Sequence, residues 1–532
     1  MGRKTSAAEK RLLLAGEDSV LDPLASFYLS DIARQEGWVP KIVLSKGPDY
    51  LELWRAMDEF KPDALGATLY TGNHESFGTF LREAKARSGG DLTTIVGGPH
   101  PTYFPGGCLG YADFVVVGPG FNALRRILNG TAEEGIVYLE KEEGFPRSDR
   151  ADFYRDNPGH DGNPMKNSTT GTGCRFRCAH CYGSHVVDGV DGITKEQAKH
   201  ITTTLDSDRF WPVRQRPVAD VIEEIESLLQ ISPSTRGLFW QDDIFGCDAD
   251  WLDEFVGRYD ARLPFHANMR FELVNPKTDI GERRVELLKR GGCGGLSMAI
   301  ETGSETMRRE VLNRNTPEQL MFDVMGRLSE SGINVRTYQM LALPYGATTE
   351  ETKMNLDADL DTLRLNVELR EKTGLPTVTW AATLVPYPGT GVEKYCLKHG
   401  FRKGGANDIV GPSTFLIESV LRHARKWVGP SLSAGGDSWM DPKEEKRYRA
   451  QAKSLMDHFP AFSVIPDGHN VARNLLENGD LGFDKVFAAM KERGAFDKIP
   501  GGSELETKLE GSGEAGPGIF KAHMHDRVLF GM

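Results

Sequence analysis

Gly173-Cys174-Arg175-Phe176-Arg177-Cys178-Ala179-His180-Cys181-Tyr182 places three cysteines in eight residues with the spacing C-x3-C-x2-C. Thiolates hold iron–sulfur clusters, and four of them normally close a cubane. Three on one short loop hold three irons and leave the fourth open to a substrate or cofactor. A zinc site is the competing reading. Structural zinc wants four donors, usually as two ligand pairs, and no second C-x2-C pair occurs in this chain.

The rest of the composition is compatible with that loop. At 532 residues the chain is long enough for about three domains. Charged residues at 26% and hydrophobics at 39% describe a globular protein with material for several cores. A net charge of −12 argues against nucleic acid or an anionic membrane surface as partner, since both need basic faces. No stretch approaches the roughly 18 apolar residues of a membrane span. The polar start Met1-Gly2-Arg3-Lys4-Thr5-Ser6 does not read as a secretory signal. Seven cysteines, an odd number with three clustered, fit a reducing compartment, so a cytoplasmic location is expected.

Outward from the loop, short apolar strands alternate with amphipathic helices on both sides. Over 1–150 the strands fall near 12–15, 41–44, 64–70, 94–96 and 114–117, with helices near 24–35, 51–60 and 77–85. That predicts a doubly wound, Rossmann-like parallel sheet with ligands at the carboxyl ends of its strands. Residues 151–165, with Pro158, Gly159, Gly162 and Pro164, read as a polar linker. From 166 to 400 the alternation resumes, and the strand before the cysteines makes six βα units, a partial TIM-like (β/α)6 barrel. Its active site is expected at the strand ends. Residues 401–532 read as a mainly helical cap over the substrate, with helices at 413–427, 442–457, 468–478 and 483–493 and a glycine-rich loop from Gly501 to Gly518; a stabilising or dimerising appendage is the alternative. Cys108, Cys247, Cys293 and Cys396 are expected to be buried and inert.

The cysteine spacing resembles the radical S-adenosylmethionine (SAM) superfamily, and the strand-end motifs resemble its cobalamin-dependent branch over roughly the first 400 residues. Gln241-Asp242-Asp243-Ile244-Phe245 is similar to a D-D-x-F stretch of that branch, and Ala299-Ile300-Glu301-Thr302-Gly303-Ser304-Glu305 to its G-I-E-S-G-S-E segment. Leu341-Ala342-Leu343-Pro344-Tyr345-Gly346-Ala347-Thr348 and Val385-Pro386-Tyr387-Pro388-Gly389-Thr390 resemble its G-x-P-x-E-T and P-x-P-G-T turns. In the first domain Thr68-Leu69-Tyr70-Thr71, Gly97-Gly98-Pro99-His100 and the turn with Gly118 and Gly120 resemble the cobalamin-binding domain. Pro119 and Phe121 replace two acids of the usual last turn, and the D-x-H-x-x-G motif that supplies a histidine to cobalt is absent. A ligand-free docking module is the competing reading of this domain.

The resemblance implies a [4Fe-4S] cluster on Cys174, Cys178 and Cys181. It implies SAM contacts from Tyr182 on the adenine, Glu301 on the ribose hydroxyls, Arg336 on the carboxylate, and Asp242, Asp243 and Ser304. Turn capping by the aspartates, a buried arginine partner for Glu301 and a structural salt bridge for Arg336 are the alternatives. Cobalamin contacts are implied for Thr68, Leu69, Tyr70, Thr71, Gly97, Gly98, Pro99, His100, Gly118 and Gly120, with Tyr70 a candidate for the lower face of the ring.

The activity implied is a cobalamin-dependent radical SAM methyltransferase: the reduced cluster cleaves SAM, and methylcobalamin methylates an unactivated carbon or phosphorus of a small-molecule, natural-product precursor. Flavodoxin or ferredoxin would supply the electron. A non-methylating cyclisation, oxidation or rearrangement, and a non-enzymatic cobalamin or iron–sulfur sensor, are the alternatives. A methylthiotransferase is excluded, since it needs three further cysteines before Cys174 and only Cys108 is there.

Overall fold

The computed structural model describes residues 9–140, 144–184, 187, 190, 193–346, 353–402, 419–425, 438–479 and 482–530, with the side chains of 525–530 excepted. These residues form two compact units. The first holds described residues up to 175 and between 185 and 235; the second holds 176–184 and described residues from 236 onward.

The first unit is built on a six-stranded parallel sheet: β1 (Arg11–Glu17), β2 (Val39–Ser45), β3 (Ala64–Thr68), β4 (Thr93–Gly97), β5 (Phe114–Val117) and β6 (Gly135–Tyr138), in the order β2-β1-β3-β4-β5-β6. Because both faces are covered, the central strands are apolar runs rather than alternating ones. Leu13, Leu65, Val96 and Val115 face the helices Leu51–Phe60 and His74–Arg87. Leu14, Gly66, Ile95 and Val116, each one residue away, face the opposite side, toward the helix Leu24–Gln35. The edge strand β6 was not legible in the sequence, because its four residues lie among acids and glycines.

Residues 151–165, expected as a linker, fold as the short helices Ala151–Asp156 and Pro158–Gly162 followed by the start of β7 (Met165–Ser168). Arg150, 1% exposed, ties this stretch into the unit by donating to Asp22 and Glu224 (both 3.2 Å), to the Tyr154 hydroxyl (3.1 Å) and to the Asn167 carbonyl (2.8 Å). Arg216 supplies a second guanidinium to Glu224 at 2.7 Å. A short antiparallel ribbon follows, β8 (Gly171–Thr172) with β9 (Arg214–Gln215).

The second unit carries five parallel strands, β10 (Gly237–Trp240), β11 (Phe265–Asn268), β12 (Cys293–Glu301), β13 (Asn334–Leu341) and β14 (Val378–Thr383), in the order β14-β13-β12-β11-β10. Ala249–Tyr259, Asp279–Arg290, Glu318–Glu330 and Leu356–Thr373 are the intervening helices. With β7 the chain has the six strands of the expected partial barrel.

The C-terminal region is helical at Pro442–Phe462, Gly468–Glu477 and Phe483–Glu492 as expected, and differs around 419–425 and in its tail. Pro442–Phe462 lies along β14 and shares a core with Leu341, Leu363 and Val378, so it covers an open sheet edge. The glycine-rich tail is not a loop but two helices, Gly502–Leu509 and Gly516–Phe530, and the last touches all five strands of the unit. Its glycines serve close approach. A Cβ on Gly502 would sit 1.9 Å from the Phe496 carbonyl oxygen, and one on Gly516 would sit 2.1 Å from the Phe483 ring. Of the helix expected at 413–427, the described residues 419–425 are not helical, and Ala424 bridges Trp439. The rest of that helix, Ala347-Thr348 of one turn motif and part of the segment after the cysteines lie outside the described residues. No helix among the described residues is long and apolar enough to cross a membrane.

Candidate functional site

The first unit contains a cavity of about 270 Å³ at the carboxyl ends of β1, β3, β4 and β5. Thr68, Gly97, Gly98, Gly118 and Gly120 line it, as the strand-end reading expects. Two of these glycines are required by the backbone. Gly98 has φ +99°, and a Cβ there would meet Thr68 at 2.9 Å and the Leu69 carbonyl at 3.1 Å. Gly118 has φ +82°, with a built Cβ 2.4 Å from Leu139.

Leu69, Tyr70, Thr71, Pro99 and His100 do not line the cavity. Leu69 is fully buried, and its carbonyl accepts the His100 amide at 3.0 Å. Pro99 opens a short helix. His100 stacks on His74 at 3.8 Å and bonds Thr71 at 3.2 Å. Burial and the neighbouring His74 push its pKa down to about 3, which makes it a neutral packing group. Tyr70 is 45% exposed.

The remaining walls were not foreseen: Tyr28 from the first helix, Phe121, Phe145, and Thr169, Thr172, Trp211 and Arg214 from β7 to β9. Their separation in sequence hides them, since only the fold brings them together. The lining is mostly apolar, with open space where glycines stand, so it suits a flat, largely hydrophobic group such as the nucleotide base of a cobalamin tail.

None of the three loop cysteines is in a disulfide: Cys178 is buried and Cys181 exposed at the start of the second unit, and Cys174, near the end of a stretch of the first, is intermediate in exposure. The Arg209 guanidinium donates to the carbonyls of Cys174 and Arg175. Past Cys174, the loop backbone is gripped from two sides. The Ala179 amide donates to the Leu312 carbonyl and the Ala179 carbonyl accepts from Val392, each at 2.9 Å. The Asn313 side chain donates to the Arg177 carbonyl at 2.7 Å, from a backbone at φ +49°. Its neighbour Arg314 donates instead to Glu301 and to the Ala299 carbonyl.

The side chains around the loop are charged. Glu301 ends β12 at φ +68°, where the register against β13 slips. Its Oε1 accepts from Arg314 at 2.8 Å and lies 3.4 Å from Nε2 of His180, the histidine between the last two cysteines. Burial alone would raise its pKa, but His180 and Arg314 override this and hold it down at about 2. The buried-arginine alternative is therefore present. Arg270, just past β11, donates from NH1 to Sγ of Cys178 at 3.0 Å.

Ser304 accepts from the Met307 amide at 3.1 Å and so shapes the turn after Glu301. Tyr182 packs on Tyr387 at 4.9 Å between ring centres. Asp242 is buried and Asp243 exposed at the end of β10.

Arg336 lies on β13 three residues before the partner of Glu301, about 10 Å deeper along the strand. It is 4% exposed and surrounded by the rings of Phe239, Tyr338 and Trp380 at 5.0–5.9 Å. It donates to Ser297 at 2.8 and 3.2 Å. No structural salt bridge to it forms among the described residues. Cys108, Cys247, Cys293 and Cys396 are buried as expected, and burial pushes the thiols of Cys293 and Cys396 up to about 12.

Comparison with known proteins agrees with both halves of this geometry. Residues 11–128 match the B12 binding domain family and residues 168–357 the radical SAM superfamily. The chain is thus a cobalamin-binding member of the radical SAM enzymes, with cobalamin, a [4Fe-4S] cluster and SAM as its cofactor set.

More particularly, the fold is similar to that of the radical SAM methyltransferase TsrM from Kitasatospora setae, solved with cobalamin and a [4Fe-4S] cluster bound. The identity is 16%, the TM-score 0.53, and the match covers 88% of this chain and 99% of that one. Coproporphyrinogen III oxidase (HemN) from Escherichia coli, also a radical SAM enzyme, matches at 12% identity and a TM-score of 0.29 over 53% of this chain and 50% of its own. No curated protein matches by sequence.

Proposed function

We propose that the chain is a cobalamin-dependent methyltransferase acting on an unactivated carbon or phosphorus of a small-molecule, natural-product precursor. The observation that carries this is the presence in one chain of a glycine-cut apolar cavity within a B12 binding domain and a three-thiol loop backed by Glu301. A radical SAM core alone would need no such cavity. When bound, the cluster supplies electrons for SAM cleavage and cobalamin carries a methyl group.

The chain's own residues hold and orient these groups. Cys174, Cys178 and Cys181 would hold three irons. Thr68, Gly98 and Gly118, with Trp211 and Phe145, would enclose the cobalamin tail. Glu301, ionised at neutral pH, is an acceptor for the ribose hydroxyls once Arg314 and His180 share it. Arg336, a buried guanidinium with no acid beside it among the described residues, is the residue for a carboxylate. Asp242 and Asp243 end the neighbouring strand, and Tyr182 with Tyr387 offers an aromatic face for adenine.

The domain assignment follows: 1–150 for cobalamin, 166–400 for SAM, and a helical region from 401 that supports the barrel edge and caps the substrate. A cytoplasmic location and a flavodoxin- or ferredoxin-type electron donor complete the reading.

The test is anaerobic reconstitution with iron, sulfide and hydroxocobalamin, then a metal count and analysis of SAM products under reduction. About four irons, bound cobalt and formation of S-adenosylhomocysteine are expected. Iron and cobalt with 5′-deoxyadenosine as the sole SAM product would replace methyl transfer by a non-methylating radical reaction.

A further inference from the structure

Sulfur ligands of a cluster accept hydrogen bonds, and each N–H aimed at a thiolate stabilises the added electron and raises the reduction potential. The second unit aims one such donor with unusual constraint. Arg270 is 7% exposed, and its guanidinium is committed on three sides. Nε and NH2 donate to the two oxygens of Glu272 at 3.0 and 2.8 Å, a bidentate pair. Its face lies 3.8 Å from the centre of the Phe176 ring, two residues before Cys178. The NH1 group left over points at Sγ of Cys178, 3.0 Å away. Glu272 is itself anchored, accepting from the Thr316 hydroxyl at 2.5 Å.

We infer that Arg270 is a positioning residue that sets the reduction potential of the cluster through its N–H bond to Cys178, with Glu272 and Thr316 fixing its aim. The inference rests on Cys178 being a cluster ligand. The step it affects is the uptake of one electron from the external donor; no bond at Arg270 forms or breaks, and its proton stays on nitrogen. Three features separate this from simple loop packing. An arginine cannot deprotonate, so the donor is permanent. Its countercharge Glu272 occupies the other edge of the fork and leaves NH1 for sulfur. And the loop backbone is already held by Leu312, Asn313 and Val392, so Arg270 is not needed for its shape.

The experiment is an EPR-monitored redox titration of the reconstituted full-length holoprotein, with iron counted in every sample. In Arg270→Gln the fraction reduced at a fixed donor potential is expected to fall about tenfold, a shift of about 59 mV for one electron, with iron content near that of the unaltered protein. Thr316→Val, which only loosens the aim, should shift the same way by less. Arg270→Gln with full iron and an unmoved midpoint would overturn the inference. If Arg270→Gln loses its cluster, Thr316→Val decides: a lowered midpoint supports the role and an unchanged one refutes it. Unaltered protein that retains no iron would instead remove the cluster reading beneath it.

Discussion

The two sites of this chain are made by opposite means. The cavity of the first unit is defined by what is missing: glycines with positive φ at Gly98 and Gly118, and apolar walls from Leu14 to Trp211. The loop of the second unit is defined by what is added: two arginines, two glutamates and a histidine joined in ion pairs, with one arginine N–H on Cys178. A large, mostly neutral cofactor tail needs room and shape. A small, highly charged cluster needs compensating donors, because in a buried site an unpaired charge costs several kcal/mol.

The largest effect should come from breaking the charged site at its ligands. Cys178→Ala or Cys181→Ala is expected to lose nearly all iron on reconstitution while cobalt binding survives, read by metal analysis of one sample. The converse test fills the neutral site. Gly98→Val places a branched side chain against Thr68 and Leu69 in a backbone region that costs about 1–3 kcal/mol for other residues. Cobalt should be lost and iron kept. If either substitution removed both metals, the sites would not be separable in the way the comparison holds.

A third substitution bears on the frame of the first unit rather than on its cavity. Arg150→Met strands Asp22 and Glu224 without one partner, and breaking such a buried pair costs about 3–5 kcal/mol. Urea unfolding should show the early loss of the first unit's signal.

The smallest effect concerns Asp359, fully buried on the helix Leu356–Thr373, where burial pushes its carboxyl up to about 7. Its oxygens accept from the Ala342 amide (3.0 Å) and the Tyr448 hydroxyl (2.7 Å). A carboxyl that binds its proton more tightly when folded stabilises the fold below its unfolded pKa. That contribution is lost as pH rises toward 7. Asp359→Asn should flatten the stability profile between about pH 4 and 7, measured as Tm against pH.

Both sites were partly legible before any fold was known, and the reason differs. Cysteine spacing is local, so three ligands announce themselves within eight residues. Strand-end glycines are also local, which is why Gly98 and Gly118 stood out, while His100 and Tyr70, taken from strand-end motifs by resemblance, do not line the cavity. Arg270, Arg314, Trp211 and Phe145 carried no such mark. An arginine or an aromatic reads the same in sequence whether it packs, pairs or serves a ligand; only long-range contacts sort them. The glycine-rich tail misled for a related reason: composition reads as turns, yet Gly502 and Gly516 open helices at places too crowded for a side chain.

The grip on the cysteine loop keeps two tasks apart, shape and ligation. The bonds from Leu312, Asn313 and Val392 reach main-chain atoms between the cysteines and use no sulfur. The main chain between the cysteines is therefore held by residues more than a hundred positions along the sequence, and no thiol takes part in that hold.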